Sequence, residues 1–121
     1  MLFRSVEQTV SVYNIFYLDE MESFCKANKV GYGLNFVNDP DYLSLRCLPD
    51  GVKRKIYNKL SNKLSKYVLD EVSAHLSEEF DVLLWDKFKK FSTHLDRSRG
   101  ESFNDVFVEF NCVLASEGFY F

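Results

Sequence analysis

The sequence contains few cysteines, and no two of them lie close together. Cys25, Cys47 and Cys112 are spaced too widely for the local hairpin or knuckle that supplies paired zinc ligands, and their odd number cannot close a full set of intrachain disulfides. His75 and His94 are equally scattered. We therefore expect no metal, no cofactor and a reducing compartment.

Long apolar runs are missing as well. No window approaches the roughly 18 apolar residues that a membrane-spanning helix needs, and the short apolar start is interrupted at Glu7, unlike the apolar core of a signal peptide. We therefore expect a cytoplasmic protein that does not contact membranes. The net charge of -3 is too small to indicate a dedicated nucleic-acid binder, so nucleic acid is not the expected partner.

The common catalytic motifs are also absent. The sequence has no G-x-S-x-G and no Cys next to a His, and its "GYG" at 31–33 lacks the following helix with Lys and Ser or Thr that a phosphate-binding loop requires. By itself, the chain is not expected to be an enzyme.

The residues that are present indicate a folded protein. A hydrophobic fraction of 46% with 17% aromatic residues supplies a packed core, and a length of 121 residues suits one domain. We predict a single domain over residues 1–121, with a β-α-β unit at about 8–37 and a helical part at about 50–121.

The β-α-β unit follows from a change of apolar period. Residues 8–16 alternate as in a strand, residues 18–29 have helical spacing with acidic residues early and lysines late, and residues 30–37 alternate again. Short links between these elements predict a parallel pair of strands. The segment "YLSLRC" at 42–47 would add a third. The fold class is therefore α/β or α+β, with two to three strands covered by three to four helices.

The helical part begins after Pro49, where Asp50 is the expected N-cap of a helix over about 51–65. The apolar residues at 67–76 either continue this helix or begin another turn. An apolar stripe predicts a further helix at 80–97, which ends at Gly100. Ser102 and Asp105 resemble a capping box for a last helix. The apolar tail "GFYF" is expected to pack against the domain.

The most polarised segment lies at 52–66, where no acidic residue accompanies Lys53, Arg54, Lys55, Lys59, Lys63 and Lys66. Such a helix can bind phosphate groups. The interpretation that we favour is a solvated outer face, complemented by the acidic residues between 70 and 86. Lys55, Lys59 and Lys63 are candidate contacts to a partner or an anion.

"LDRSRG" at 95–100 also has two interpretations. Arg97 and Arg99 offer planar donors that could clamp an anion. Equally, they are cations at the end of a helix, where the helix dipole favours positive charge. The sequence leaves both open.

Three segments carry a family resemblance that covers nearly the whole chain: "VSVYNIFYLDEMESF", "LNFVNDPDYLSLRCLPDGVKRKI" and "FKKFSTHLDRSRGESFNDVFVEF". Together they resemble the C-terminal part of phage and bacterial radical S-adenosylmethionine proteins of the twitch kind. In that family a strand ending in Asn-Ile leads to a helix, and a Leu-Asp-x-x-Arg-Gly element lies near the end. The resemblance implies part of a partial barrel, with Asn14 and Asn35 at strand-end positions that line the family's nucleoside pocket.

The family's iron–sulfur cluster is held by a C-x-x-x-C-x-x-C loop, which this sequence lacks. We therefore expect a non-catalytic, phage-encoded module that binds another protein in the bacterial host cytoplasm. An inhibitor of a host enzyme or defence system, such as an anti-CRISPR-like nuclease inhibitor, fits this description. One alternative is the smaller piece of a split radical enzyme, completed by a subunit with the three cysteines. Another is a nucleic-acid accessory protein that uses the basic helix 52–66.

So small a sheet leaves unpaired edges, which in the family would meet the rest of the barrel. Either two copies pair these edges or the helices cover them. We favour a homodimer.

Overall fold

A computed structural model describes residues 5–120 of the chain. Two strands and six helices follow one another as β1 (Ser5–Val10), α1 (Leu18–Ala27), β2 (Gly31–Phe36), α2 (Asp50–Leu60), α3 (Lys66–Leu76), α4 (Val82–Arg99), α5 (Phe103–Val106) and α6 (Val108–Ser116). Short 3₁₀ turns lie at Ile15–Tyr17, Asp41–Leu43 and Leu45–Cys47.

The predicted β-α-β unit is confirmed. Strands β1 and β2 pair in parallel, with a register that runs from Ser5 opposite Gly31 to Val10 opposite Phe36, and helix α1 connects them. The alternation explains the two faces of the sheet, because Val10 is buried and Phe36 half-buried on one side while Thr9 and Asn35 are exposed on the other. The fold class is a small mixed α/β arrangement, as expected.

The first strand has different limits from those predicted, because it starts at Ser5 and ends at Val10. The chain turns where Asn14 Oδ1 accepts a hydrogen bond from the Ser11 N–H at 2.9 Å, while Asn14 Nδ2 donates to the Thr9 carbonyl at 2.8 Å. These side-chain bonds compete with strand pairing. The β-branched pattern therefore continues beyond the point at which the strand stops.

The prediction of a third strand at 42–47 was wrong. This segment forms two 3₁₀ turns, and the hydroxyl of Ser44 donates to the Asp41 carbonyl at 2.6 Å across the first of them. Leu45 and Cys47 alternate with polar residues, which suggested a strand. Both are buried, but on a 3₁₀ turn. Among residues 5–120 the sheet therefore has two strands.

The helical part contains more elements than the three to four helices predicted. The expected helix 51–65 ends at Leu60, a turn occupies 61–65, and α3 is a separate helix. Pro49, rather than Asp50, is the residue that precedes α2. Gly100 ends α4 as predicted, with a φ of 65° that favours glycine.

The capping box expected at Ser102 does not form. The Ser102 side chain makes no capping bond. The carboxylate of Asp96 accepts the Phe103 N–H instead, at 3.0 Å. The end of α4 thus supplies the cap of α5.

The helices pack around one contiguous core. Val52, Ile56 and Leu60 recur every four residues on α2 and are fully buried, and they join apolar residues from α3, α4 and α6. Phe88 and Phe110 are the largest of the fully buried side chains. Burial of side chains of this kind contributes roughly 1.5–3 kcal/mol each.

The apolar tail packs against the core only in part. The ring of Phe119 lies edge-on to Trp85, with ring centroids 5.1 Å apart, and contacts Phe80 as well. Tyr120 is exposed. Phe121, which we also expected to pack, lies outside the described residues.

Glu22 on α1 is a buried carboxylate, only 3% exposed. It accepts hydrogen bonds from the N–H and the hydroxyl of Ser65, each at 2.7 Å, and forms an ion pair with Lys26 at 3.3 Å. Ser65 immediately precedes α3. Helix α1 therefore fixes the beginning of a helix that lies 43 residues further along the chain.

Candidate functional site

The three lysines proposed as partner contacts are already engaged within the chain. Lys55 pairs with Glu117 at 3.1 Å. Lys59 and Lys63 both pair with Asp19, at 3.4 and 3.7 Å. We expected the acidic residues between 70 and 86 to complement these charges, but the three lysines pair with Asp19 and Glu117 instead.

Lys59 is the most constrained of these lysines. Its Nζ donates to the Phe16 carbonyl at 2.6 Å and lies 3.8 Å from the centre of the Phe16 ring. Asp19 Oδ1 is buried and accepts no hydrogen bond within residues 5–120, although Lys59 Nζ is within ion-pair distance of it. Lys59 therefore connects α2 to the turn before α1 and is not available to a partner.

The continuous basic helix at 52–66 does not exist as such. Lys63 lies in the turn after α2, and Lys66 is the first residue of α3. The basic residues of this segment therefore do not lie on one continuous phosphate-binding helix.

Arg97 and Arg99 occupy the last turn of α4, as the helix-dipole interpretation requires. The two arginines line different cavities. Arg97 lies with Lys90 and His94 beside a cavity of about 600 Å³. Arg99 lines a separate cavity of about 300 Å³ next to Tyr13.

The two asparagines have separate roles. Both polar atoms of Asn14 bond to the backbone of the turn that ends β1. Asn35 is exposed on β2 and lies opposite Thr9 in the sheet. The structure therefore gives Asn14 a local structural role and leaves Asn35 on the open face of the sheet.

The cavity beside Tyr13, which we call the Tyr13 pocket, has aromatic walls. The Tyr13 ring lies 5.8 Å from that of Phe107 and 6.2 Å from that of Phe103, measured between centroids. Leu95 and Val106 complete the apolar lining. Such walls favour an apolar or aromatic group in the pocket.

Two hydroxyls meet within this pocket. The oxygens of Tyr13 and Ser92 are 2.6 Å apart, and Ser92 is buried on α4. Burial raises the pKa of Tyr13, and the nearby Asp96 charge adds to this effect, although the Ser92 hydrogen bond and Arg99 oppose it. Tyr13 therefore stays a neutral hydroxyl at neutral pH.

Charged and apolar residues surround the opening. Asp96, Arg99 and Glu101 contribute charged groups to the lining. Val106 is 55% exposed although it lines the pocket, and Val108 is exposed as well. Exposed apolar residues next to an apolar pocket, with charges around them, are typical of binding surfaces.

The sequence analysis missed the Tyr13 pocket apart from Arg99. Tyr13 lies within the strand predicted at 8–16, and Phe103 and Phe107 follow Ser102 in the last predicted helix. Ser92 offered a signal, because it follows Phe88 by one helical turn and is therefore a polar residue on the buried face of α4.

The described residues form neither a metal-binding cluster nor a membrane-spanning helix. Within 5–120, no three His, Cys, Asp or Glu side chains are arranged to hold a metal ion. None of the helices described has the length and apolar character that a membrane crossing requires.

Comparison with known protein families, with curated proteins and with solved structures finds no match to this chain. The function must therefore be argued from the geometry of the site.

Proposed function

We propose that this chain is a non-catalytic protein-binding module and that the Tyr13 pocket receives an apolar side chain of its partner. The observation that carries the proposal is an aromatic-walled pocket of about 300 Å³ beside the exposed Val106. Protein interfaces obtain most of their binding energy from a few anchors in such pockets.

The size of the pocket supports a side chain as its occupant. Its volume is at the lower end of the roughly 300–1,000 Å³ of small-molecule sites, which suits one anchor better than a large cofactor. Tyr13 and Ser92 place hydroxyls in the lining, so an anchor with a polar end also finds a hydrogen-bonding partner.

The class of partner follows from the resemblance to phage radical S-adenosylmethionine proteins. A chain of this kind without the cluster-binding cysteines has no radical chemistry to perform. We propose that it is phage-encoded, acts in the bacterial host cytoplasm and inhibits a host enzyme or defence system, such as a CRISPR nuclease. A subunit that completes a split radical enzyme is the alternative partner.

Two matched variants test the role of the pocket. Val106 and Val82 are each 55% exposed, but Val82 lies at the start of α4 and does not line the pocket. Tagged wild-type protein, Val106→Glu and Val82→Glu are used to capture partners from lysate of the phage host. We expect Val82→Glu to retain the partner and Val106→Glu to lose it by about tenfold or more, because a buried charge at an interface is costly.

The identity of the captured protein distinguishes the two partner classes. A host nuclease or other enzyme whose activity falls on binding supports the inhibitor, whereas a protein with a C-x-x-x-C-x-x-C loop supports the split enzyme. A partner that binds both variants equally would contradict the use of the Tyr13 pocket.

A further inference from the structure

A second cavity, of about 410 Å³, lies between α2 and α3 and shares no lining residue with the Tyr13 pocket. We call it the α2–α3 groove. Much of its lining comes from two helix faces, formed by Arg54, Tyr57 and Asn58 on α2 and by Ser73 and Leu76 on α3 together with Ser77, which follows that helix. In each helix these residues are spaced by three and four positions, which places them on one face.

The groove is rich in unused hydrogen-bond donors. Within residues 5–120, the side chains of Arg54, Tyr57, Asn58 and Ser73 take part in no hydrogen bond or ion pair. Three other lysines of the same segment, Lys55, Lys59 and Lys63, form ion pairs with Glu117 or Asp19. The groove thus differs from the rest of α2 in keeping its donors free.

Lys53 adds a second cation to the lining. Its side chain is only 4% exposed, and its Nζ donates to the Glu78 carbonyl, which leaves two of its three N–H groups without a partner among the described residues. Burial lowers the pKa of Lys53, while the nearby charges of Asp50 and Glu78 raise it. A buried ammonium with spare donors is stabilised by an anion beside it.

The charge balance of the lining favours an anionic ligand. The lining itself carries two cations, Lys53 and Arg54, and one carboxylate, that of Asp50, while the Glu78 carboxylate lies near Lys53 outside the lining. A guanidinium can bind two phosphate oxygens at once, and hydroxyl and amide groups supply further donors. The ring of Tyr57 and the side chain of Leu76 offer a flat apolar wall in the same groove.

We propose that the α2–α3 groove binds a small phosphate ester that carries a planar ring, which is the chemistry of a mononucleotide. Arg54 and Lys53 hold the phosphate, and the ring lies against Tyr57. The groove shares no residue with the Tyr13 pocket, so an experiment that refutes nucleotide binding leaves the protein-binding proposal unaffected.

The test uses the full chain labelled with ¹⁵N and titrated with AMP, adenosine and inorganic phosphate. We expect AMP to shift the amide signals of 53–58 and 73–77 and to bind more tightly than either adenosine or inorganic phosphate. Arg54→Ala should weaken AMP binding by about tenfold or more, because it removes hydrogen bonds to a charged group. It should leave the melting temperature unchanged, because the Arg54 side chain makes no hydrogen bond or ion pair with any residue that the structure describes.

Lys66→Ala is the matched control, since it removes one positive charge from an exposed position at the start of α3, outside the groove. This variant should bind AMP as the wild type does. The proposal is overturned if AMP shifts no signals in the groove at millimolar concentration, if both variants bind equally, or if inorganic phosphate binds as tightly as AMP. A strongly salt-dependent preference for an oligonucleotide over AMP would also overturn it, in favour of a nucleic-acid surface.

Discussion

Replacing Glu22 with Ala tests whether the buried carboxylate joins α1 to α3. The carboxylate accepts two hydrogen bonds from Ser65, both at 2.7 Å, and its side chain is almost fully buried. The Glu22→Ala variant leaves the half-buried Ser65 N–H at the beginning of α3 without this acceptor, and losing a hydrogen bond to a charged group is costly.

The magnitude follows from the contacts. A hydrogen bond to a charged group contributes roughly 1.5–3 kcal/mol, so two of them predict a loss of about 3–6 kcal/mol in the free energy of unfolding. The ion pair with Lys26 adds about 0.5 kcal/mol, as is typical of pairs four residues apart on a helix, because its lysine end is exposed to solvent. Since small domains are stable by roughly 5–15 kcal/mol, this loss is a large fraction of the total.

Urea unfolding followed by far-UV circular dichroism measures the change. Glu20→Ala is the control, because Glu20 lies on the same helix, is exposed and makes no side-chain hydrogen bond in the part of the chain described. We expect little change in the control, and Glu22→Gln should fall between Glu22→Ala and the wild type because it keeps one acceptor oxygen. If Glu22→Ala costs less than about 1 kcal/mol, the carboxylate does not stabilise α3 in the way that these distances indicate.

Three further predictions concern the thiols, the tail and the assembly. Burial raises the pKa of Cys47 from its ordinary value of 9.0 to about 12. The thiol of the unfolded chain therefore loses its proton at a lower pH, and stability falls as the pH rises from about 9 to 12. In Cys47→Ala, the midpoint of urea unfolding should decline less over this pH range. Phe119→Ala should lower the free energy of unfolding by roughly 1–2 kcal/mol, since its half-buried ring contacts Trp85, whereas the exposed Tyr120→Ala should leave the melting temperature unchanged. The open sheet edges predict a homodimer, and light scattering that gives 14.2 kDa at every concentration would refute it.

Elements with a strong period and clear end signals could be predicted from the sequence. Helix α1 combines helical spacing with acidic residues early and Lys26 late, and α4 has a long apolar stripe that ends at Gly100. Strand β2 alternates over its whole length. In these elements the local preference and the final packing agree.

The errors arose where a short-range side-chain bond or a distant partner decides the structure. Asn14 ends β1 through bonds to Ser11 and Thr9, although the strand-like alternation continues. Glu22 is one of the early acidic residues of the helix predicted at 18–29, yet its carboxylate is buried and accepts hydrogen bonds from Ser65. No local pattern contains that information.

Which basic residues are free to bind a partner depends on contacts with residues that are distant in sequence. The basic residues of the segment looked alike in sequence, but Lys59 is held by Phe16 and Asp19, whereas Arg54 forms no ion pair within residues 5–120. Their different availability is set by which helix face meets which neighbour. Only the three-dimensional arrangement separates a structural cation from one that is free to bind.

The parallel pairing of β1 with β2 has a consequence for synthesis on the ribosome. Paired positions are 26 residues apart, so β1 leaves the exit tunnel well before its partner strand exists. Helix α1 is built between them from local hydrogen bonds and can form during this interval. The earliest native structure of the nascent chain is then helical, and β1 waits unpaired until Phe36 has been added. A pause in translation just after α1 would therefore prolong the exposure of an open strand edge, and with it the risk of aggregation.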